Sequence, residues 1–414
     1  MRRVMMMAAA AVALAGAAPA RADPVTDWWD AANRYWLAGQ GAPGPRTPDM
    51  DRASTRAALA MFEAVNAIDR RYESYLKLPA GDPAASQDAA AATAAYLVLL
   101  KHYPANKAAL DDSYAWAMSQ VANDKAREAG RRIGEQAAQA AMDANGIDPA
   151  IEQTPYRPRT AVGEWIGAAL PTLEPHNLAL KPWAAPNVEA LMVGPPPPAT
   201  SDRYAQSYEE IRRLGSRSSK ERTPLQTIIA KYRQGFDLAP TIRLITDQPG
   251  RTQVQNARLI ALYQMAFDDA AQAMVVAKLR YNYWRPITAI RNGDKDNNAA
   301  TQPDPNWMAL LPTPNFPEYP CGHCTVAAVE AEILKTEGGL KPGTPIRVAS
   351  LGNPMAVTQT AQSWDDFVQQ VSDSRMLGGV HFRFANEAGE EIGRKAARMA
   401  IANVLRPLPP KRKR

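Results

Sequence analysis

A chain of 414 residues, 46% of them hydrophobic, is long enough to bury one large core or two ordinary ones. Its formal charge of +6 comes from its ends: three of the 48 basic residues lie in the first 22, four are Lys411 to Arg414, and the body between carries 41 basic against 42 acidic groups. So nearly neutral a body excludes a stripe of positive charge for a polyanion, and no nucleic-acid partner is expected.

Residues 1–22 read as a secretory leader: Arg2 and Arg3, an apolar run from Val4 to Ala18, then Ala20-Arg21-Ala22 as a small-x-small cleavage site. The run is broken at Gly16 and falls short of the roughly 18 apolar residues of a spanning helix. The expectation is a periplasmic or secreted protein with no membrane span after cleavage.

Residues 23–150 read as an N-terminal helical region. Ser86 can cap a helix through Ala89 to Leu100, and Lys125 to Ala144 forms another that Asn145-Gly146 stops. Residues 151–202 are rich in proline, and Pro195 to Pro198 cannot continue a helix, so this stretch reads as a connection draped over the surface. Residues 203–405 return to helical periods. Val254 to Lys278 places Leu259, Leu262, Ala266 and Ala270 on one face, and His323 to Glu337 ends at Gly338-Gly339. Ser363 can cap a helix through Trp364, Phe367 and Val371, and Asn386 to Val404 makes the last. Residues 406–414, with Pro407, Pro409 and Pro410, read as a disordered basic tail. No alternating strand run stands out, so the fold class is all-α.

Chemistry concentrates in three blocks of the C-terminal region. Lys278, six residues, then Arg285-Pro286 can aim two cations at one point if Pro286 turns the chain. Pro320-Cys321-Gly322-His323 opens a helix, where Gly322 lets backbone N–H groups approach an anion and His323 can transfer a proton. Ser374-Arg375, five residues, then His381 brings another cation and a second imidazole. The remaining histidines, His102 and His176, read as ordinary structural residues.

In this order the three blocks resemble the signature shared by type-2 phosphatidic acid phosphatases, soluble bacterial acid phosphatases and vanadium-dependent haloperoxidases. The likeness is greatest to the soluble bacterial haloperoxidase-like branch. It extends to ALAMFEAVNAIDRRY at Ala58–Tyr72, YNYWRPITAIR within Arg258–Arg291, DPNWMALLPTPNFPEYPCGHCT at Asp304–Thr325 and GGVHFRFANEAG at Gly378–Gly389. The resemblance implies a helical bundle of the haloperoxidase/acid phosphatase type with an N-terminal helical layer. It also implies an oxyanion, vanadate or phosphate, held by Lys278, Arg285, Cys321, Gly322, Ser374 and Arg375. His381 would bind vanadium axially or attack phosphorus, and His323 would be the acid/base. The implied reaction is oxidation of halide by hydrogen peroxide at vanadate without haem; the alternatives are phosphoester hydrolysis through a phosphohistidine and a non-catalytic oxyanion binder. Halide, phosphoester and oligomeric state are not written in the sequence.

Two positions depart from the pattern. Cys321 stands where the family has serine. Cys321 and Cys324, the only cysteines, frame a Cys-Gly-His-Cys string that lacks the βαβ context of a thioredoxin-type motif and has one Cys-x2-Cys for a zinc site. Either Cys321 replaces a hydroxyl while Cys324 packs, or, as expected in an exported protein, the two close a disulfide at the helix start. Ala385 stands where the family has an aspartate that accepts a hydrogen bond from the second histidine's far ring nitrogen. On that reading His381 is unsupported, turnover is slow, and Ala385→Asp restores it.

Overall fold

The computed structural model of the chain describes residues 23–40, 52–144, 159–167, 180–350 and 359–409; the leader, Asn145-Gly146, His176 and the Lys411–Arg414 end lie outside them. The N-terminal layer holds α1 (Pro24–Gln40), α2 (Ala53–Ile68), α3 (Gln87–His102), α4 (Lys107–Ser119) and α5 (Asp124–Asp143). After it come α6 (Asp202–Leu214), α7 (Pro224–Tyr232), α8 (Ala239–Thr246), the long α9 (Gln253–Tyr281), α10 (Pro286–Arg291), α11 (Gly322–Glu337), α12 (Trp364–Leu377) and α13 (Arg383–Asn403). The protein is mostly helical, as its periods predict.

The capping residues act as expected. The Ser86 hydroxyl accepts from the Ala89 N–H at 3.2 Å and that of Ser363 from the Asp366 N–H at 3.0 Å. Thr252 and Gln255 form a capping box at the start of α9, and Asn282 closes that helix in the left-handed conformation (φ 41°, ψ 45°). The last helix begins at Arg383, three residues before the predicted start.

Every residue of α2 is buried, because α1, α3, α5 and α9 surround it. Two of the polar residues in this apolar helix are spent on the turn that follows. Asn66 accepts from the Arg71 and Tyr72 N–H groups at 3.1 Å each, and Glu63 accepts from the Leu76 N–H at 3.0 Å. On the other side of α9, α11 and α13 pack closely enough that a Cβ at Gly389 or Gly393 would collide with the Cys321 or Thr325 carbonyl oxygen. That approach sets the opening of α11 against the start of α13.

Three expectations need correction. A small antiparallel sheet exists, in the order β1 (Phe236–Asp237), β2 (Ile346–Ser350), β3 (Gln359–Ala361), with Phe236 opposite Ser350 and Ile346 opposite Ala361. Its only alternation, buried Ile346 and Val348 around exposed Arg347, is too short to stand out in sequence. The part of the proline-rich connection from residue 180 onward is also fixed rather than draped: Trp183, Ala184, Ala185 and Leu191 are buried. The Asp269 carboxylate of α9 accepts the N–H groups of Trp183, Ala184 and Ala185 at 2.6–3.0 Å, and Asp268 accepts the Trp183 indole N–H. Finally, residues 406–408 are ordered. The Glu73 N–H donates to Arg406 O at 2.9 Å, the Leu408 N–H to Arg71 O at 2.8 Å, and Arg406 pairs with Glu73. Proline does not prevent this, because a bridge partner needs only some of its backbone groups.

Asp269→Ala would leave three buried N–H groups without an acceptor, and each such orphan costs about 1–3 kcal/mol. The expected result is a loss of about 3 kcal/mol or more in denaturant unfolding, with the 180–191 segment becoming open to proteolysis; an unchanged midpoint would show that the strap is held by its apolar contacts alone.

Candidate oxyanion site

Lys278 lies in the last turn of α9, and its ammonium donates to the carbonyl oxygens of Pro317 (2.9 Å), Glu318 (3.0 Å) and Pro320. Its three hydrogens are thereby spent on the 317–320 loop, so it contributes charge to the site while shaping the segment that leads into α11. Arg285 is extended (φ −80°, ψ 154°), and Pro286 starts α10 immediately after it, the predicted change of direction. Its Nε donates to Phe316 O at 2.9 Å and its Nη1 to Val380 O at 2.8 Å, while the same Nη1 lies 3.2 Å from His381 Nε2. Arg375 comes from the last turn of α12. The Phe316 ring covers the cations, 4.8 Å from the Arg285 guanidinium carbon and 5.2 Å from Lys278 Nζ.

Three guanidinium nitrogens, Nη2 of Arg285 and Nε and Nη1 of Arg375, are buried without an acceptor. Burial lowers Arg285 to about 9 and Arg375 to about 10, and Lys278 falls well below its ordinary value for the same reason. Both arginines remain charged at neutral pH. Orphaned, charged donors are the costliest groups to bury, and an anion is the chemical species that satisfies them.

The two imidazoles sit on separate segments of this cluster. His323, in the first turn of α11, has Nε2 2.8 Å from Gln234 O, so Nε2 carries the hydrogen and Nδ1 is left as the acceptor. The carbonyl is brought there by the chain entering β1, and Phe236 packs edge-on against the ring. Burial, then the charge of Arg375, lowers His323 to about 3. His381 follows Gly378-Gly379, where Gly379 takes a φ of +78°. Burial, Arg285 and Lys278 hold it well below its usual value.

Sequence reasoning missed Glu318. Its Oε1 accepts from His381 Nδ1 at 3.0 Å and from the Phe382 N–H at 2.9 Å, and the residue is fully buried. Desolvation raises its carboxyl to about 7 against the opposing pull of Arg285 and Lys278. The reading of His381 as unsupported is therefore wrong: the acceptor comes from the loop before α11 instead of from position 385. One signal was available, an acid between Pro317 and Tyr319-Pro320 in the block that carries the cations.

The remaining predicted residues divide. Gly322 opens α11, and a Cβ there would meet only Met274, at 3.6 Å, so no protein atom crowds its face. The Ser374 hydroxyl, in contrast, donates to Val371 O at 2.7 Å and is spent on its own helix, so it is not presented to the anion as expected. Cys321 and Cys324 are joined in a disulfide, and Cys321 Sγ caps α11 by accepting the Cys324 N–H at 3.1 Å. The expected thiol donor at position 321 is thus absent. Both sulfurs are buried at a helix start without the strand of a thioredoxin unit, and among the described residues no cluster of three or more His, Cys, Asp or Glu could hold a metal ion.

Residues 258–409, which contain the three cations, both imidazoles, Glu318 and the disulfide, match the family model described as the VCPO second helical-bundle domain. This segment is similar to the VCPO second helical-bundle domain. Outside the matched segment the likeness persists in the fold. The chain superposes on a bacterial vanadium-dependent iodoperoxidase with a TM-score of 0.71 at 19% identity, covering 92% of this chain and 95% of that one. A holo-type bacterial vanadium-dependent chloroperoxidase gives 0.63 at 17% identity, covering 88% and 96%. The vanadium chloroperoxidase of Curvularia inaequalis is 26% identical over 133 residues, 29% of this chain and 19% of that protein, so this match spans about a fifth of the relative's length. The chain thus has the fold of the vanadium haloperoxidases, and its C-terminal segment is similar to them in sequence.

The geometry of the site yields two predictions. Ala385 is buried and the far nitrogen of His381 is already engaged, so Ala385→Asp places an unpaired carboxyl in the core. It should cost about 2 kcal/mol or more in thermal or denaturant unfolding with no gain in turnover, the reverse of what the sequence alone implies. Secondly, an anion offsets the cations that depress His323 and His381 and adds to the desolvation that raises Glu318; all three groups gain proton affinity. Sulfate, which does not titrate near neutral pH, should therefore bind with proton uptake at about pH 6. Calorimetry in buffers of different ionisation enthalpy reads this directly, and a buffer-independent enthalpy would mean that the imidazoles and Glu318 do not feel the anion.

Proposed function

We propose that this chain is a vanadate-dependent haloperoxidase that oxidises halide with hydrogen peroxide. The observation that carries the reading is the set of buried, acceptor-free guanidinium nitrogens of Arg285 and Arg375 beside His381 Nε2. A tetrahedral oxyanion offers several acceptors at once, so this donor set fits vanadate. The iodoperoxidase and chloroperoxidase likenesses support the choice of vanadate over other oxyanions.

Arg285, Arg375 and the Gly322 N–H would hold the vanadate oxygens, Lys278 would add long-range positive charge, and His381 Nε2 would face the vanadium. Bound vanadate would supply an electron-poor centre that activates hydrogen peroxide for oxygen transfer to halide without a change of metal oxidation state, so no haem is called for. The residues perform the rest. Arg285 and Arg375 keep the anion's negative charge neutralised in a site that Phe316 shields from water. His323, neutral with Nδ1 free to accept, can take a proton and return it. The leader supports a periplasmic or secreted location, where small peroxide and halide molecules are the expected partners.

A soluble acid phosphatase is the second reading. What favours it is the carboxylate-supported imidazole, since a histidine that attacks phosphorus needs its far nitrogen held in this way. One set of measurements separates the two. Purified mature protein titrated with vanadate should gain peroxide- and halide-dependent halogenation of a chromogenic acceptor, whereas a phosphatase would hydrolyse an aryl phosphate and be inhibited by vanadate. Arg375→Ala should weaken vanadate binding by about 10- to 100-fold, the worth of a charge-assisted contact of roughly 1.5–3 kcal/mol. Unchanged affinity in Arg375→Ala and Arg285→Ala would remove the site from consideration.

A further inference from the structure

We propose that Glu318 is the positioning residue of His381, fixing the imidazole as its Nδ1–H tautomer so that the Nε2 lone pair faces the anion site. The inference deepens the reading of the same site, but it does not depend on which reaction occurs there.

The hydrogen-bond network leaves one consistent arrangement. Arg285 is charged at neutral pH, so its Nη1 is a donor there, and it stands 3.2 Å from His381 Nε2, which makes Nε2 the ring's acceptor. The ring hydrogen is then on Nδ1, 3.0 Å from Glu318 Oε1. Oε1 also receives the Phe382 N–H at 2.9 Å and so is an acceptor twice over, which excludes a hydrogen on that oxygen. The opposite tautomer would set an N–H against a guanidinium N–H on one side and leave Glu318 facing a bare ring nitrogen on the other.

Glu318 is itself held on three sides. Its N–H donates to Tyr283 O at 2.9 Å, its carbonyl accepts from Lys278 Nζ, and its side chain is locked by the Phe382 N–H. Since Lys278 and Tyr283 lie just before Arg285 in sequence, the segment that supplies two of the cations also sets the carboxylate. Phe382 directly follows His381, so one oxygen binds both the imidazole and the backbone beside it. The carboxylate reaches the ring across 63 residues of sequence and does the task that a helix-borne acid at position 385 would do.

The test reads the tautomer in the anion-free protein by nitrogen NMR of the histidine rings at about pH 7, with His381 assigned by its loss in His381→Asn. Wild-type protein should show Nδ1 protonated and Nε2 bare. Glu318→Gln retains an oxygen that both donors can use and should keep this signature. Glu318→Ala should give a mixture of tautomers and, in the active enzyme, a 10- to 100-fold loss of turnover. Sulfate affinity in Glu318→Ala should be equal or tighter, because a negative charge has been removed beside Lys278 and Arg285. A single Nδ1–H tautomer in well-folded Glu318→Ala, or an Nε2–H ring in wild type, overturns the proposal. The wild-type spectrum decides even if Glu318→Ala does not fold. Normal tautomers with no halogenating activity would instead count against the haloperoxidase reading and leave Glu318 in its role.

Discussion

A surplus of buried positive charge is the constraint on which the C-terminal region is built. Lys278, Arg285 and Arg375 are all withdrawn from water, and among the described residues the carboxylate they share is that of Glu318. Burying like charges together is costly unless each finds acceptors, and the protein supplies just enough backbone to make the arrangement tolerable. Carbonyls of residues 316, 317, 318, 320 and 380 take the donors of Lys278 and the Nε and one Nη1 hydrogen of Arg285. The donors left over are concentrated on Arg375 and one nitrogen of Arg285, so the unmet demand has a location.

That demand explains the surrounding architecture. The 316–320 loop cannot move without uncovering Lys278 and Arg285, and it runs directly into the N-cap of α11. Close packing of α11 on α13 at Gly389 and Gly393 then ties the loop to the helix that follows His381. The small sheet serves the same end from the far side, since the chain entering β1 carries the carbonyl that orients His323. Elements that look peripheral in the fold thus each fix one ring or one cation.

Local features were the ones open to sequence reasoning. Helix starts at Ser86 and Ser363, the turn at Arg285-Pro286 and the three cation- and histidine-bearing blocks depend on residues within a few positions of one another. What escaped was non-local. Glu318 meets His381 only after the chain has passed through α11 and α12, so a search along the helix after His381 ended at Ala385 and found nothing. The clamp of Asp269 on residues 183–185 has the same character, spanning about 85 residues, and without it the proline-rich segment reads as loose. Ser374 shows the converse: it stands beside Arg375 in sequence, yet helical geometry turns its hydroxyl onto Val371 O, three residues earlier.

The Cys321–Cys324 bond bears on how long such a centre could last. A thiol exposed to peroxide or to an oxidised halogen species climbs through sulfenic to sulfinic and sulfonic acids, and the later steps do not reverse unaided. Sulfur already paired has no free thiolate to begin that climb, and here both atoms are also shut away from solvent. On the proposed function, position 321 exchanges a hydroxyl-like donor for a helix opening that offers no thiolate to peroxide or to an oxidised halogen species. Durability of the scaffold would then count alongside the rate of the reaction.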